Sequence, residues 1–166
     1  MRLTTGLLLA VLISPWAQAE LIDEVNDRGE LRIAVLADTP PYTFKKDEHL
    51  TGFEIELGQA LAQELDVRAE FIETPAQELL PGVENGKYDI ALNQSNAEQA
   101  SQAPLDTSHP YSRQSLVIPF QKDNPAFESA LNNALQRIMD DGRLAAMERK
   151  WLENPVQQVA GEQLAP

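Results

Sequence analysis

The sequence predicts an α/β fold, a single lobe built on a mainly parallel sheet of four to five strands with helices on both faces. Three observations lead there. A short apolar run, Leu31-Arg32-Ile33-Ala34-Val35-Leu36, ends just before Pro40-Pro41. A helical stripe follows over residues 52–65, and a strand-like run comes next at 68–72. The resulting β-α-β-α-β order favours parallel strands joined by helical crossovers, with a binding crevice at the strands' carboxyl ends.

In chain order, residues 21–28 form a short helix. Leu21, Ile22 and Val25 share one face, and Gly29 stands where a capping glycine belongs. Residues 31–36 are the first strand, which cannot run past Pro40 because proline lacks an N–H. Thr43-Phe44 and Leu50-Thr51 pair as a small hairpin around the polar residues 45–49. Residues 52–65 carry the strongest helical signal, with Phe53, Leu57, Ala60, Leu61 and Leu65 at spacings of three and four. Glu54 and Glu56 suit the positive end of that helix, and two residues apart they diverge.

Residues 68–72 alternate apolar and charged as a second strand. Residues 77–84 form a helix despite Pro81, stopped at Asn85-Gly86. Residues 88–92 are a third strand, and 93–103 a polar loop with a short helix. Residues 115–120 are a fourth strand, which Pro119 places at an edge or ends early. Pro125 fits a first helical turn, ahead of a stripe of Phe127, Leu131, Ala134, Leu135 and Ile138. Asp140-Asp141-Gly142 ends that helix, and residues 143–152 form the last one, with Leu144, Met147 and Trp151 on one side.

The first nineteen residues read as a cleaved export signal: Arg2, an apolar run over 3–13, and Ala17-Gln18-Ala19 at the cut. That run falls short of the roughly 20 residues a bilayer span needs. The expected organisation is therefore signal 1–19, lobe 20–153 and flexible tail 154–166, in the periplasm. The chain has no cysteine, so neither lipid attachment nor a disulfide is expected. Net charge is −13, or −14 without Arg2 (−13 minus 1), which argues against nucleic acid and anionic membrane surfaces. His49 and His109 are the only histidines and supply no metal-ligand cluster. No nucleophile elbow, phosphate-binding glycine loop or zinc-helix signature appears. No catalytic residue, metal or cofactor is expected, and the chain is not expected to be an enzyme.

Several stretches together resemble one family. They are Leu31-Arg32-Ile33-Ala34-Val35, Ala37-Asp38-Thr39-Pro40-Pro41-Tyr42-Thr43-Phe44, Thr51-Gly52-Phe53-Glu54-Ile55-Glu56-Leu57, Glu84-Asn85-Gly86-Lys87-Tyr88-Asp89 and Thr107-Ser108-His109-Pro110-Tyr111, with Asn132, Asp141-Gly142 and Lys150-Trp151 near the end. The chain resembles the family 3 bacterial extracellular solute-binding proteins, which mostly deliver amino acids to ABC importers. The resemblance implies a periplasmic-binding-protein-like lobe and a second lobe inserted as about 80–100 residues, a small-domain size. Here Tyr111-Ser112-Arg113-Gln114-Ser115-Leu116-Val117-Ile118 runs straight on into Pro119-Phe120-Gln121. The second lobe is therefore expected to be missing near 112–124.

The resemblance also implies a ligand site. Asp38, Tyr42 and Phe53 match positions that line the ligand. By residue type alone, Asp38 could cap its turn, Phe53 could be core, and Tyr42 a half-buried aromatic. The family's glycine, threonine or serine, and arginine after the third strand fall on Gln94, Asn96 and Ser101. Ser101 cannot supply the two charge-assisted hydrogen bonds of a guanidinium. That loss is worth about 1.5–3 kcal/mol, roughly ten- to a hundred-fold in affinity. The expected function is weak binding of an amino acid or other small polar solute for uptake or sensing, with an ABC transporter membrane component as partner. The alternative is a protein-interaction or accessory module that has lost ligand binding, as in relatives that accompany quinoprotein dehydrogenases. Its open face would take a protein or a second copy, as a homodimer.

Overall fold

The computed structural model describes residues 20–153. The expected signal and tail lie outside the described residues. Helix α1 (Leu21–Arg28) ends at Gly29, whose φ of 67° is the left-handed conformation a glycine cap supplies without strain. Strand β1 (Glu30–Val35) follows, then a hairpin of β2 (Phe44–Lys46) and β3 (His49–Thr51). The hairpin is tighter than its polar loop suggests. Asp47 and Glu48, at φ 51° and 62°, form a two-residue turn whose twist suits paired strands.

Helix α2 (Phe53–Glu64), β4 (Arg68–Glu73), α3 (Ala76–Glu84) and β5 (Ile90–Leu92) complete the parallel core. After it come α4 (Ala97–Ala100), β6 (Leu105–Thr107), β7 (Pro119–Gln121), α5 (Pro125–Asp140) and α6 (Arg143–Trp151). The five-stranded sheet has the order β4-β1-β5-β7-β6. β1 is parallel to both β4 and β5, with Ile33 opposite Phe71 on one side and Ile90 on the other. β7 runs antiparallel to β5 and to β6. The strand order reverses beside β1, which puts the crevice at the exits of β1, β4 and β5.

Two features differ from the sequence reading. β6 lies in a stretch with no alternating signal, yet it forms the sheet's edge. β7 is not at the edge despite Pro119. Proline is its first residue, opposite Thr107, and only Phe120 pairs with β5, so the missing N–H removes no interior rung.

Side chains of β1 point alternately to two cores. Leu31, Ile33 and Val35 join Val25, Leu57, Leu61, Phe127, Leu131 and Ile138 beneath α1, α2, α5 and α6. Ala34 joins Leu79, Val83, Tyr88, Ala91 and Leu105 beneath α3. Helices therefore cover both faces, as expected. Asn124 ties the first helix to the fifth: its Oδ1 accepts from the Leu21 N–H at 2.8 Å, and its amide donates to the Gln121 and Lys122 carbonyls.

At the amino ends of β1 and β5, Asp89 is 0% exposed. Its carboxylate accepts from Arg28 Nη2 at 2.5 Å, Arg32 Nη2 at 2.8 Å and the Arg32 backbone N–H at 2.7 Å. Both cations are themselves mostly covered, so neither is well solvated without its partner. Asp89→Ala is expected to lower stability by about 3 kcal/mol, read as a shifted urea midpoint at unchanged slope.

Candidate functional site

The loop leaving β1 is a tight turn. The Thr39 N–H donates to the Thr43 carbonyl and the Tyr42 N–H to the Thr39 carbonyl, each at 2.8 Å, around a cis Pro40–Pro41 bond. Its carbonyls then cap α2. Pro41 accepts from the Phe53 N–H at 3.1 Å and Tyr42 from the Glu54 N–H at 2.9 Å. Only glycine fits before them, because Gly52 has φ +125° and a Cβ there would lie 2.2 Å from the Tyr42 oxygen. These donors are spent on the loop, so this helix end offers less to an anion than an open helix start would.

Beneath the loop sits Glu54, 0% exposed. Its carboxylate accepts from the Thr43 hydroxyl at 2.8 Å and from the Gln94 backbone N–H at 3.0 Å. One side chain thus joins the loop leaving β1 to the loop leaving β5. Gln94 holds φ 53°, the left-handed region, at the position where the resemblance places a glycine. Its side-chain amide nitrogen is buried and finds no hydrogen-bond partner among the described residues. Burial pushes the Glu54 carboxyl above its ordinary value, and the hydrogen bonds from Thr43 and Gln94 offset part of that. The buried Tyr111 hydroxyl is also pushed up, first by burial and then by the Glu54 charge.

Glu54 was not among the expected site residues. Its signal was present: Glu54, Leu57, Gly58 and Leu61 lie at helical spacing, which puts the carboxylate on a buried stripe.

The six expected site residues do not share one recess. Asp38 is exposed and lines an open recess of about 550 Å³ at the exits of β1 and β4, with Thr39, Glu73, Thr74 and Ala76. Tyr42 is half-buried and lines a separate recess of about 130 Å³ with Gln114, Leu116 and Leu152; its hydroxyl lies 3.3 Å from Gln114 Oε1. Phe53 is 0% exposed and meets Tyr42 edge to face at 6.1 Å. Its ring, without accessible surface, supports Tyr42 from below, the core position that its residue type alone also allows. Gln94 acts through its backbone, as above. Asn96 caps α4: its Oδ1 accepts from the Gln99 N–H at 2.9 Å, and Gln99 Oε1 accepts from the Asn96 N–H at 3.1 Å. Ser101 closes the same helix, exposed, with its hydroxyl donating to the Glu98 carbonyl at 2.7 Å.

Between Tyr111 and Leu116 the chain simply turns back. The Tyr111 N–H donates to the Leu116 carbonyl at 3.0 Å, and the Ser112 hydroxyl oxygen accepts from the Leu116 N–H at 3.1 Å. Val117 then donates to the Ser95 carbonyl at 2.9 Å, which holds this turn against the loop leaving β5. Among the described residues, no group of three or more His, Asp or Glu side chains is arranged to hold a metal ion.

Two outcomes follow from Glu54 and Phe53. With its folded value above the ordinary 4.5, Glu54 adds no penalty below that pH and loses stability as pH rises through the raised value. Glu54→Gln keeps a donor and an acceptor without the charge. It is expected to match the parent near pH 4 and exceed it at neutral pH, by about 1.4 kcal/mol for each pH unit separating the two values, in denaturation across pH. Phe53→Ala is expected to lower stability by about 3–5 kcal/mol in the same assay, as a core truncation does.

Comparison with known proteins agrees with this architecture. Residues 31–154 match the family Bacterial extracellular solute-binding proteins, family 3. The L-cystine-binding protein TcyJ of Escherichia coli K12 is 26% identical over 158 residues, 95% of this chain and 59% of that protein. The chain thus spans less than two-thirds of that relative. Among solved structures, the ancestral amino acid-binding protein AncCDT-1, described as a precursor of cyclohexadienyl dehydratase, superposes with TM-score 0.74 at 20% identity, over 80% of this chain and 99% of that chain. The arginine-bound form of domain 1 from TmArgBP superposes with TM-score 0.64 at 23% identity, over 69% of this chain and 98% of that one. With the family matched over most of its length and the fold shared, the chain belongs to the family 3 bacterial extracellular solute-binding proteins.

Proposed function

We propose that this chain is a one-jawed solute-binding protein of the periplasm, exported by the signal in residues 1–19. It binds an amino acid or similar small polar solute in the open recess at the exits of β1 and β4, for uptake or sensing with an ABC transporter membrane component. The observation that carries the reading is that recess, about 550 Å³ with Asp38 exposed on its wall, in a chain of a solute-binding family. The carboxyl ends of parallel strands are where such folds take ligands. Support also comes from domain 1 of TmArgBP, a single domain of similar fold in an arginine-bound form.

In this reading Asp38 supplies negative charge for an ammonium group, while the Thr39 and Thr74 hydroxyls donate to the Thr43 and Ile72 carbonyls and shape the wall. Tyr42 stands at the neighbouring recess on Phe53. Glu54 holds the two loops in register through Thr43 and Gln94. Asn96 and Ser101 keep their side chains in the caps of α4. A solute held on one wall keeps more of its surface in water than the roughly 70–90% burial of closed pockets allows, so affinity is modest. The function is binding rather than turnover. AncCDT-1 is described as a precursor of an enzyme, and the resemblance to it here is one of fold.

A thermal-shift screen of amino acids and small carboxylates at millimolar concentration tests this. A true ligand raises the melting temperature by mass action, and Asp38→Ala is expected to abolish the rise without lowering the unliganded melting temperature. No rise with any member of the panel overturns the reading.

A further inference from the structure

The small recess beside Tyr42 has a composition that a free solute does not require. Tyr42, Leu116 and Leu152 form an apolar floor of about 130 Å³, room for a side chain rather than for a solvated molecule. Its rim carries both signs of charge: Arg113 on the turn of residues 112–115, and Glu148 and Glu153 at the end of α6. The Arg113 side chain is 85% exposed, and its contact with Glu153 within the chain is a loose 3.7 Å. An exposed pair at that distance is worth little, so either member can exchange partners at small cost.

The recess stands at the crevice end of the sheet. Tyr42 belongs to the loop leaving β1, and Leu116 bridges Asn96 in the loop leaving β5.

We propose that this face is where two copies of the chain associate about a two-fold axis, with Arg113 of each copy meeting Glu148 and Glu153 of the other around paired Tyr42 side chains. A two-fold contact uses the same patch twice, so a patch with cation and anions on one rim complements itself. A uniformly acidic or basic partner would meet one matching and one opposing sign here. The overall charge of −13 repels copies from one another elsewhere on the surface, so association needs a face where opposite charges are locally matched. The proposal extends the one-jaw reading without depending on any ligand being bound.

Sedimentation equilibrium of the full chain, from micromolar to millimolar, tests it with two charge-reversed variants. One carries Arg113→Glu; the other carries Glu148→Arg and Glu153→Arg. All three positions are on the rim, and circular dichroism checks that each variant is folded. The parent is expected to reach twice the chain mass, and each variant alone to stay monomeric or dissociate at least about tenfold more readily. An equimolar mixture of the two variants is expected to recover the dimer, because each then presents what the other lost. A parent that stays monomeric throughout, a dimer indifferent to both variants, or a mixture that fails to recover each overturns the proposal. Thermal-shift binding of solutes to the monomeric variants is read separately, so loss of the dimer and loss of solute binding are told apart.

Discussion

The crevice depends on a carboxylate that meets no cation among the described residues. Glu54 is fully buried and is held by one hydroxyl and one backbone N–H. Hydrogen bonds to a charged group contribute about 1.5–3 kcal/mol each, and burying a carboxylate costs several. Burial wins here, which is why the carboxyl is pushed up rather than down. The two loops that frame the crevice are therefore held by a group that weakens the fold when it ionises. Its two partners are the Thr43 hydroxyl of the turn leaving β1 and the N–H of the left-handed Gln94 leaving β5.

The opposite end of the sheet solves the same problem differently. Asp89 is equally buried, but two guanidinium groups and a backbone N–H meet it. Its charge is matched where it stands, and α1, β1 and β5 are locked together. The lobe is thus tightly clamped at the amino ends of its strands and more loosely tied at their exits. Local stability is commonly lowest where ligands enter, and the contrast between the two carboxylates gives that tendency a structural cause.

Much of the fold was legible because its signals are local. The 3.6-residue stripes of α2 and α5, the left-handed Gly29 and the proline start of α5 each report on a few neighbouring residues. β6 was not legible. Leu105-Asp106-Thr107 becomes a strand only because β7 lies beside it, and three residues carry no period of their own. Because proline cannot donate, Pro119 placed the fourth strand at an edge or ended it early. Its interior place is possible since the proline comes first and one rung joins it to β5. At the site, the positions of Asp38 and Tyr42 were readable from the strand exit. The burial of Phe53 and Glu54 had a signal in the helical spacing of α2, but the tie that Glu54 makes between two loops was hidden, because only packing brings Thr43 and Gln94 to it. The caps made by Asn96 and Ser101 were equally hidden, since the same polar atoms serve a solute or a helix end.

The turn through residues 112–115 has a consequence for how the chain acquires its shape. Bringing two segments together costs entropy that rises with the logarithm of the length between them. The short link from β6 to β7 keeps that penalty small, and the pair can zip as near neighbours in sequence. The Tyr111-to-Leu116 hydrogen bond lies within that same short link, so the turn that joins β6 to β7 is closed by neighbours in sequence.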